Sequence, residues 1–271
     1  MTMSGVTTLQ VAQRPRAYVR VAGPDAEDFL QRMVSNDVEA LAAGDACPAL
    51  LLTAKARVIA PVVVLRRGTD DFLLLTEPEL GETVHVHLAR MRLRARCEVE
   101  REEHRSVIVF GDAEGIATGE YGERAVEVVD GELEPTLAAD GLELRRIEAG
   151  RPAWGKEIDD RVLPAEAGLT ETHVSFAKGC YPGQEPVARL HYRGHANRSL
   201  RVLALDVAEL PEYDAELVYE GRVVGRVTST ARRPDGTVVA LAYVRTSVPE
   251  DAELTLTGGA ARPLHWPPAR P

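Results

Sequence analysis

Apolar and polar positions follow two styles along this chain: mixed helix and strand spacing up to about residue 150, and strand spacing alone after Ser199. The stretch YVRVAGPDAEDFLQRMVSNDV, 18–38, reads as a short strand, a Gly-Pro turn and a helix whose Phe29, Leu30, Met33 and Val34 share one face. Pro24 suits the first helical turn, Asp25, Glu27 and Asp28 complement the positive helix end, and SND at 35–37 closes it. ALLLTA and VIAPVVVLRR then read as strands around a tight KAR link, and DFLLLT follows the turn RGTDD. In PELGETVHVHLARM, 78–91, Leu80, Val84, Leu88 and Met91 recur at helical spacing, and RARCEVE and SVIVFG add strands. Strands, a helix and more strands predict a small α+β lobe with the helix packed on an antiparallel sheet.

DGLELRRIEAG, 140–150, reads as a helix or a strand–helix junction ending at Gly150. Residues 151–182 are polar, rich in Gly and Pro and weakly periodic, and compact domains keep so long a loop mainly for function. Beyond it LRVLALDV, AELVYEG, RVVGRVTST, TVVALAYVR and AELTLTGG alternate with EG, PDG and GG turns, which predicts a small barrel or sandwich. A boundary is therefore expected near 194–199. No internal repeat or low-complexity segment interrupts this order.

Composition narrows the function classes. The 271 residues suffice for two or three lobes, and 45% hydrophobic with 27% charged residues is the balance of a folded chain. A net charge of −10 disfavours non-specific attachment to nucleic acid or an anionic membrane, so neither is expected as a direct partner. The longest apolar run, VIAPVVVL at 58–65, falls far short of the ~20 residues of a membrane helix. MTMSGVTTLQVAQRPRAYVRV lacks the pattern of a signal peptide. Cys47, Cys97 and Cys180 form no CxxC pair, which suggests neither a disulfide framework nor a zinc site and fits a reducing cytoplasm.

Phosphate-loop, dinucleotide, nucleophile-elbow and zincin motifs are all absent. His85 and His87 point to different sides of their helix and read as surface or partly buried residues. His191 and His195 lie four apart, but Arg193 and Gly194 make that segment a helix end, so no metal site is expected. The most singular stretch is FAKGCYPGQEPVARLHYRG, 176–194. KGCYPG looks like a glycine turn into a short helix with Pro182 near its first position; the helix start and Lys178 would both favour a thiolate at Cys180. A structural, buried cysteine is the competing reading. Cys47 and Cys97 sit in apolar or strand patterns and read as core. In LRRIEAGRPAWGKEID, 144–159, Glu148 is either a two-point acceptor for a heterocycle such as an aminopyrimidinone or the partner of Arg145 or Arg151. Trp154 would wall the pocket of such a ring.

Taken together, KGCYPGQE with VARLHYRG resembles the signature of the YgfZ family of tetrahydrofolate-binding proteins, relatives of the glycine-cleavage T-protein, an aminomethyltransferase. VAGPDAEDFLQRMVSNDV, LRRIEAGRPAWGKEI, LPAEAGL and EGRVVGRVTST resemble further stretches of that family in the same order over almost the whole chain. The resemblance implies an α+β, three-lobed cloverleaf around a folate channel. Residues 1–196 would form the T-protein-like region, a discontinuous first lobe with a ferredoxin-like lobe inserted at about 46–106, and 197–271 a C-terminal β-barrel. It implies a tetrahydrofolate site in which Glu148 holds the pterin ring, Asn36 lies beside it and Trp154 lines it. Gln184 joins that set, with Arg189, Arg193 and Arg198 as candidates for the glutamate tail, since guanidinium groups bind carboxylates in two-point fashion.

Two departures bear on activity. Where T-proteins carry an aspartate pair used in aminomethyl transfer, KARVIAPVVV offers Ala60 and Pro61, and neither can move a proton. Ala56 stands where relatives have glycine, a minor change if that turn needs no positive φ. The resemblance thus implies a folate-binding accessory factor for iron–sulfur client enzymes, including tRNA-modifying ones, with Cys180 as the reactive thiol tuned by Lys178. A folate-dependent one-carbon transferase is the alternative, and a plain interaction module the third reading.

Overall fold

In the computed structural model, residues 9–122 and 125–264 are described, and their strands form three sheets. The segment 1–8, and with it the first part of the stretch read as lacking a signal peptide, lies outside the described residues. Strand β1 (Gln10–Gln13) belongs to one sheet and β2 (Ala17–Ala22) to another, so residues 14–16 link two lobes. Helix α1 (Ala26–Met33) follows, then β3 (Ala46–Leu52), β4 (Val58–Gly68) and β5 (Asp71–Thr76). A 3-10 turn at Pro78–Leu80 leads into α2 (Gly81–Met91), and β6 (Glu98–Glu102) completes the antiparallel order β3-β4-β5-β2-β6. Without edge strand β3 this is the ferredoxin-like arrangement. The sheet takes in β2 and packs α1, so this lobe begins well before residue 46: β2 is the strand that joins β5 to β6.

The pattern of β4 explains its place. Val58, Ala60, Val62 and Val64 are buried while the residues between them are half-covered. Val62 and Val64 pack with Phe72, Leu74, Leu30, Val84 and Leu88 in the core beneath the two helices. Leu73 and Leu75 turn the other way and pack with Tyr18, Ile116 and Val129, so β5 is apolar on both faces. Pro24 precedes the N-cap residue Asp25 and lies just outside the helix it was expected to start.

Strands β7 (Ser106–Phe110), β8 (Ile116–Thr118) and β9 (Ala125–Val129) join β1 in the order β1-β7-β9-β8. Helix α3 (Ala139–Glu148) lies between this sheet and the C-terminal lobe: Leu142 packs with Ile108 and Tyr121, and Ile147 with Val239 and Leu241. The chain from 149 to 183 is largely irregular apart from the short α4 (Thr170–His173), and Ile158, Val162, Leu169, Val174 and Tyr181 pin it to Leu50, Leu52 and Val58. Helix α5 (Gln184–Arg193) comes next.

The C-terminal lobe is a closed barrel. Its strands are β10 (Arg198–Asp206), β11 (Glu216–Tyr219), β12 (Arg222–Arg232), β13 (Val238–Arg245), β14 (Leu254–Leu256) and β15 (Gly259–Pro263). Val238, Ala240, Ala242 and Val244 of β13 fill the barrel, whereas Val239, Leu241 and Tyr243 pack outward beneath α3. Closure depends on Gly259, where a Cβ would stand 1.9 Å from the Asp206 carbonyl oxygen. Among the described residues no helix is long and apolar enough to cross a membrane.

Candidate functional site

Where the β1–β2 link, β4, α3 and the 151–158 segment meet, they enclose a cavity of about 290 Å³. Its walls include Arg14, Arg16, Glu77, Glu120, Arg151 and Trp154. The Arg14 guanidinium forks onto Glu77, donating at 2.9 and 2.6 Å. Arg16 donates to Glu127 at 2.9 and 2.8 Å and to Glu120 at 3.1 Å, and the Ser106 hydroxyl donates to Glu127. The Arg16 side chain is 3% exposed and that of Glu127 0%, so these charges stand in a low-dielectric setting where each needs its partner. Burial raises the Glu120 carboxyl, but Arg16 and Arg14 outweigh this and hold it at about 2. Glu120 therefore stays ionised throughout the neutral range.

Two cavity cations retain unused donors. Arg14 Nε is buried with no hydrogen-bond partner among the described residues. Arg151 donates from Nε to the Gly119 carbonyl and forms no ion pair among the described residues. Burial pulls its guanidinium below the ordinary value, against the attraction of Glu120. His173 also lines the cavity; burial holds it at about 4, so it stands neutral there, with Nδ1 2.8 Å from the Thr172 hydroxyl. Such walls suit a flat ligand whose edge carries both donors and acceptors, set against the indole of Trp154.

Trp154 is held by the local chain. Residue 154 bridges residue 158, and Gly155 N donates to the Ile158 carbonyl. The next turn is pinned by Glu157, whose side chain accepts from Arg146 Nη1 at 3.1 Å, Ala153 N at 2.9 Å and the Ser229 hydroxyl at 2.6 Å. Arg146 Nη2 donates to Ser229 as well, and Tyr243 donates to the Glu157 carbonyl. One buried carboxylate thus ties α3, the 151–158 segment and the barrel together.

Of the residues picked from the sequence, only Trp154 lines this cavity. Glu148 sits at the last turn of α3, outside the lining, and accepts from Arg233 of the barrel at 2.6 Å; neither Arg145 nor Arg151 is its partner. Asn36 is committed to backbone, donating to the Pro48 and Thr172 carbonyls and accepting from Asp37 N. Gln184 caps its own turn by accepting from Tyr181 N. Arg189 and Arg193 are exposed on α5, and Arg198 stacks over Tyr243 and pairs with Glu166 in a separate cleft. Sequence reasoning passed over Arg14, Arg16, Glu77, Glu120 and His173; the one available signal was QRPR, two arginines around a proline between two strands.

The cysteine stretch forms a distinct surface. Cys180 is exposed and does not line the cavity. Helix α5 starts at Gln184 behind N-cap Gly183, so Pro182 and Cys180 both precede it. Gly183 adopts φ 83°, and a Cβ there would meet the Thr53 carbonyl oxygen at 2.5 Å, so the turn is pressed against the β3–β4 hairpin. Ala56 in that hairpin has φ 58°, so its turn does adopt the left-handed conformation that suits glycine. Lys178 is turned away from the role expected of it: its Nζ donates to the Val34 and Asn36 carbonyls at 2.8 and 2.6 Å, satisfying the end of α1. Burial draws the Lys178 ammonium down to about 8, and the thiol it attracts is Cys47. Among the described residues no cluster is suited to hold a metal ion.

Comparison with known proteins agrees with this architecture. The family model of the GCVT N-terminal domain matches residues 12–110. The tRNA-modifying protein YgfZ of Shigella sonnei is 28% identical over 279 residues, covering 87% of this chain and 85% of that protein. The mitochondrial iron-sulfur cluster assembly factor IBA57 homolog of Neurospora crassa is 27% identical over 220 residues, 66% of this chain and 49% of that protein. The crystal structure of the glycine cleavage system aminomethyltransferase T from Bartonella henselae superposes with a TM-score of 0.82 at 19% identity, over 96% of this chain and 86% of that one.

Proposed function

We propose that this chain, similar to YgfZ proteins and in fold to the glycine-cleavage T-protein, binds tetrahydrofolate and supports the assembly or repair of iron–sulfur enzymes, tRNA-modifying ones among them. The observation that carries this reading is the cavity: an indole wall at Trp154, carboxylates at Glu77 and Glu120, and guanidinium donors left over on Arg14 and Arg151. A reduced pterin ring presents both N–H donors and a carbonyl acceptor, and these residues offer a complement to each. Bound there, tetrahydrofolate supplies a reducing ring able to carry a one-carbon unit. Arg16 and Glu127 hold the wall in register, and His173 stays neutral and leaves no extra charge against the ring. Cys180, exposed on its own loop, is the thiol open to a client protein.

The transferase reading draws no support from the wall at Pro61, where a pyrrolidine ring borders the cavity and the neighbouring Ala60 is buried in the core. Thermal unfolding with tetrahydrofolate tests the proposal. At a ligand concentration of about 100 times Kd the wild type gains roughly 2.7 kcal/mol. Trp154→Ala is expected to lose most of that gain while unfolding cooperatively. Absence of any shift in the wild type refutes folate binding, and turnover of an aminomethylated lipoyl carrier would restore the transferase reading.

A further inference from the structure

Outside the cavity, the least explained stretch is RMRLRAR, 90–96, at the end of α2, in a chain whose net charge is −10. Arg96 is paired with Asp25, and across the adjoining groove Arg32 is paired with Asp28. Arg90, Arg92 and Arg94 have no carboxylate within ion-pair distance among the described residues, and all three are exposed. Between them stand Met91, 44% exposed, and Leu93, 85% exposed. The groove they border, between α1 and the 91–95 segment, measures about 780 Å³.

Leu93 is doubly costly. It follows the C-cap Arg92, the position at which a helix end favours glycine, and it adopts φ 47°. A bulky side chain is strained in that region and at the same time presents its apolar surface to water. Nothing in the fold is gained by it: Leu93 has no place in any of the hydrophobic clusters. Strain and exposure at one residue, amid unpaired arginines, mark a contact surface.

We infer that the end of α2, with Leu93 as its apolar anchor and Arg90, Arg92 and Arg94 around it, docks an acidic amphipathic segment of a partner protein. Arg92 Nη1 donates to the Cys97 carbonyl at 2.9 Å, but none of the three guanidinium groups meets a carboxylate among the described residues, which favours a partner rich in carboxylates, bound in two-point fashion. Met91 and Leu93 require that the segment also carry aliphatic side chains. RNA fits the charge but not the side chains' chemistry: the exposed apolar residues of this patch are aliphatic, and among the described residues it presents no aromatic face for base stacking.

Fluorescence anisotropy with a labelled helix-forming peptide of glutamates and leucines tests this. The wild type binds that peptide and binds a glutamate–serine peptide of the same length much more weakly. Leu93→Gly loses roughly tenfold in affinity, about one decade on the affinity scale, while melting no lower than the wild type because the strained position is relieved. Arg90→Glu with Arg94→Glu loses at least as much. Equal binding of the serine peptide, unchanged binding by Leu93→Gly, or no binding of the leucine peptide overturns the inference. So does tighter binding of a hairpin RNA, or a concentration-dependent dimer that Leu93→Gly dissolves.

Discussion

Replacing Glu157 by alanine tests the claim that one buried carboxylate holds the barrel against the cavity. The residue is 1% exposed. Truncation leaves the Ala153 N–H and the Ser229 hydroxyl without their acceptor and takes one of two carboxylates from Arg146. Removing one member of a buried ion pair costs about 3–5 kcal/mol. The lower end applies here, because Glu143 still forks onto Arg146 at 2.8 and 2.7 Å. Burial raises the Glu143 carboxyl, yet the Arg146 and Lys156 bonds hold it at about 2, so that charge persists. A loss of about 3 kcal/mol is a large share of the roughly 5–15 kcal/mol by which such folds are stable. Urea unfolding reads it as a lower midpoint at unchanged slope. Glu157→Gln keeps the volume but turns an amide N–H₂ toward donors, and is expected to lose about 2 kcal/mol. A loss under about 1 kcal/mol for the alanine variant would refute the reasoning, since it would place the three bonds at the level of exposed contacts.

Two further outcomes concern pH and thiol chemistry. Burial lowers His104, but its bonds to Glu102 and Asp130 prevail and raise it. Its contribution is therefore full below the ordinary pKa of about 6.5 and disappears as pH rises through the raised value. His173 has the opposite sign: it is held at about 4, so stability is complete above about 6.5 and falls as pH drops toward 4. His104→Gln and His173→Gln should each flatten its own limb of the stability–pH curve, and a change in the other limb would contradict the assignment. With iodoacetamide at neutral pH, Cys180 should be labelled first: Cys47 is pushed up to about 11 by burial, and Cys97 is buried and raised for the same reason. Equal labelling of all three by mass spectrometry would mean that the core around Cys47 and Cys97 opens readily.

Most of the fold was legible because its long strands carry their environment in their spacing. Val58, Ala60, Val62 and Val64 alternate against a helical layer, and VVALAYV, 238–244, is buried at every position because β13 is covered on both sides. Strands β1, β8 and β15 escaped notice since they are three to five residues long and hold few large apolar groups; Ala261 is the one buried residue of β15. The cavity was less legible for a different reason. Its charges come in pairs drawn from distant places, Arg14 with Glu77 and Arg16 with Glu127, and pairing across 63 and 111 residues leaves no local pattern. Trp154 was found because its indole sits in a motif; Arg151, three residues earlier, was read only as a possible partner for Glu148.

Glu148 is where resemblance and geometry part, and the consequence can be measured. The resemblance makes this carboxylate the anchor of the pterin ring. In the structure it points to Arg233, with side chains 36% and 31% exposed, and lies outside the cavity lining. A half-exposed pair of this kind contributes about 0–1 kcal/mol. Glu148→Ala should therefore cost little stability and leave the tetrahydrofolate-induced thermal shift in place, whereas Trp154→Ala removes it. The carboxylates available to a ring in the cavity are Glu77 and Glu120, both already bound to arginine, so ligand binding there means sharing an acceptor and using the spare donors of Arg14 and Arg151. If Glu148→Ala abolishes the shift, the α3 end must swing inward on binding, with Arg233 released, and Arg233→Ala should then tighten binding because the competing partner is gone. If it does not, the proposed ring site and the thiol are separate, because neither Glu148 nor Cys180 lines the cavity.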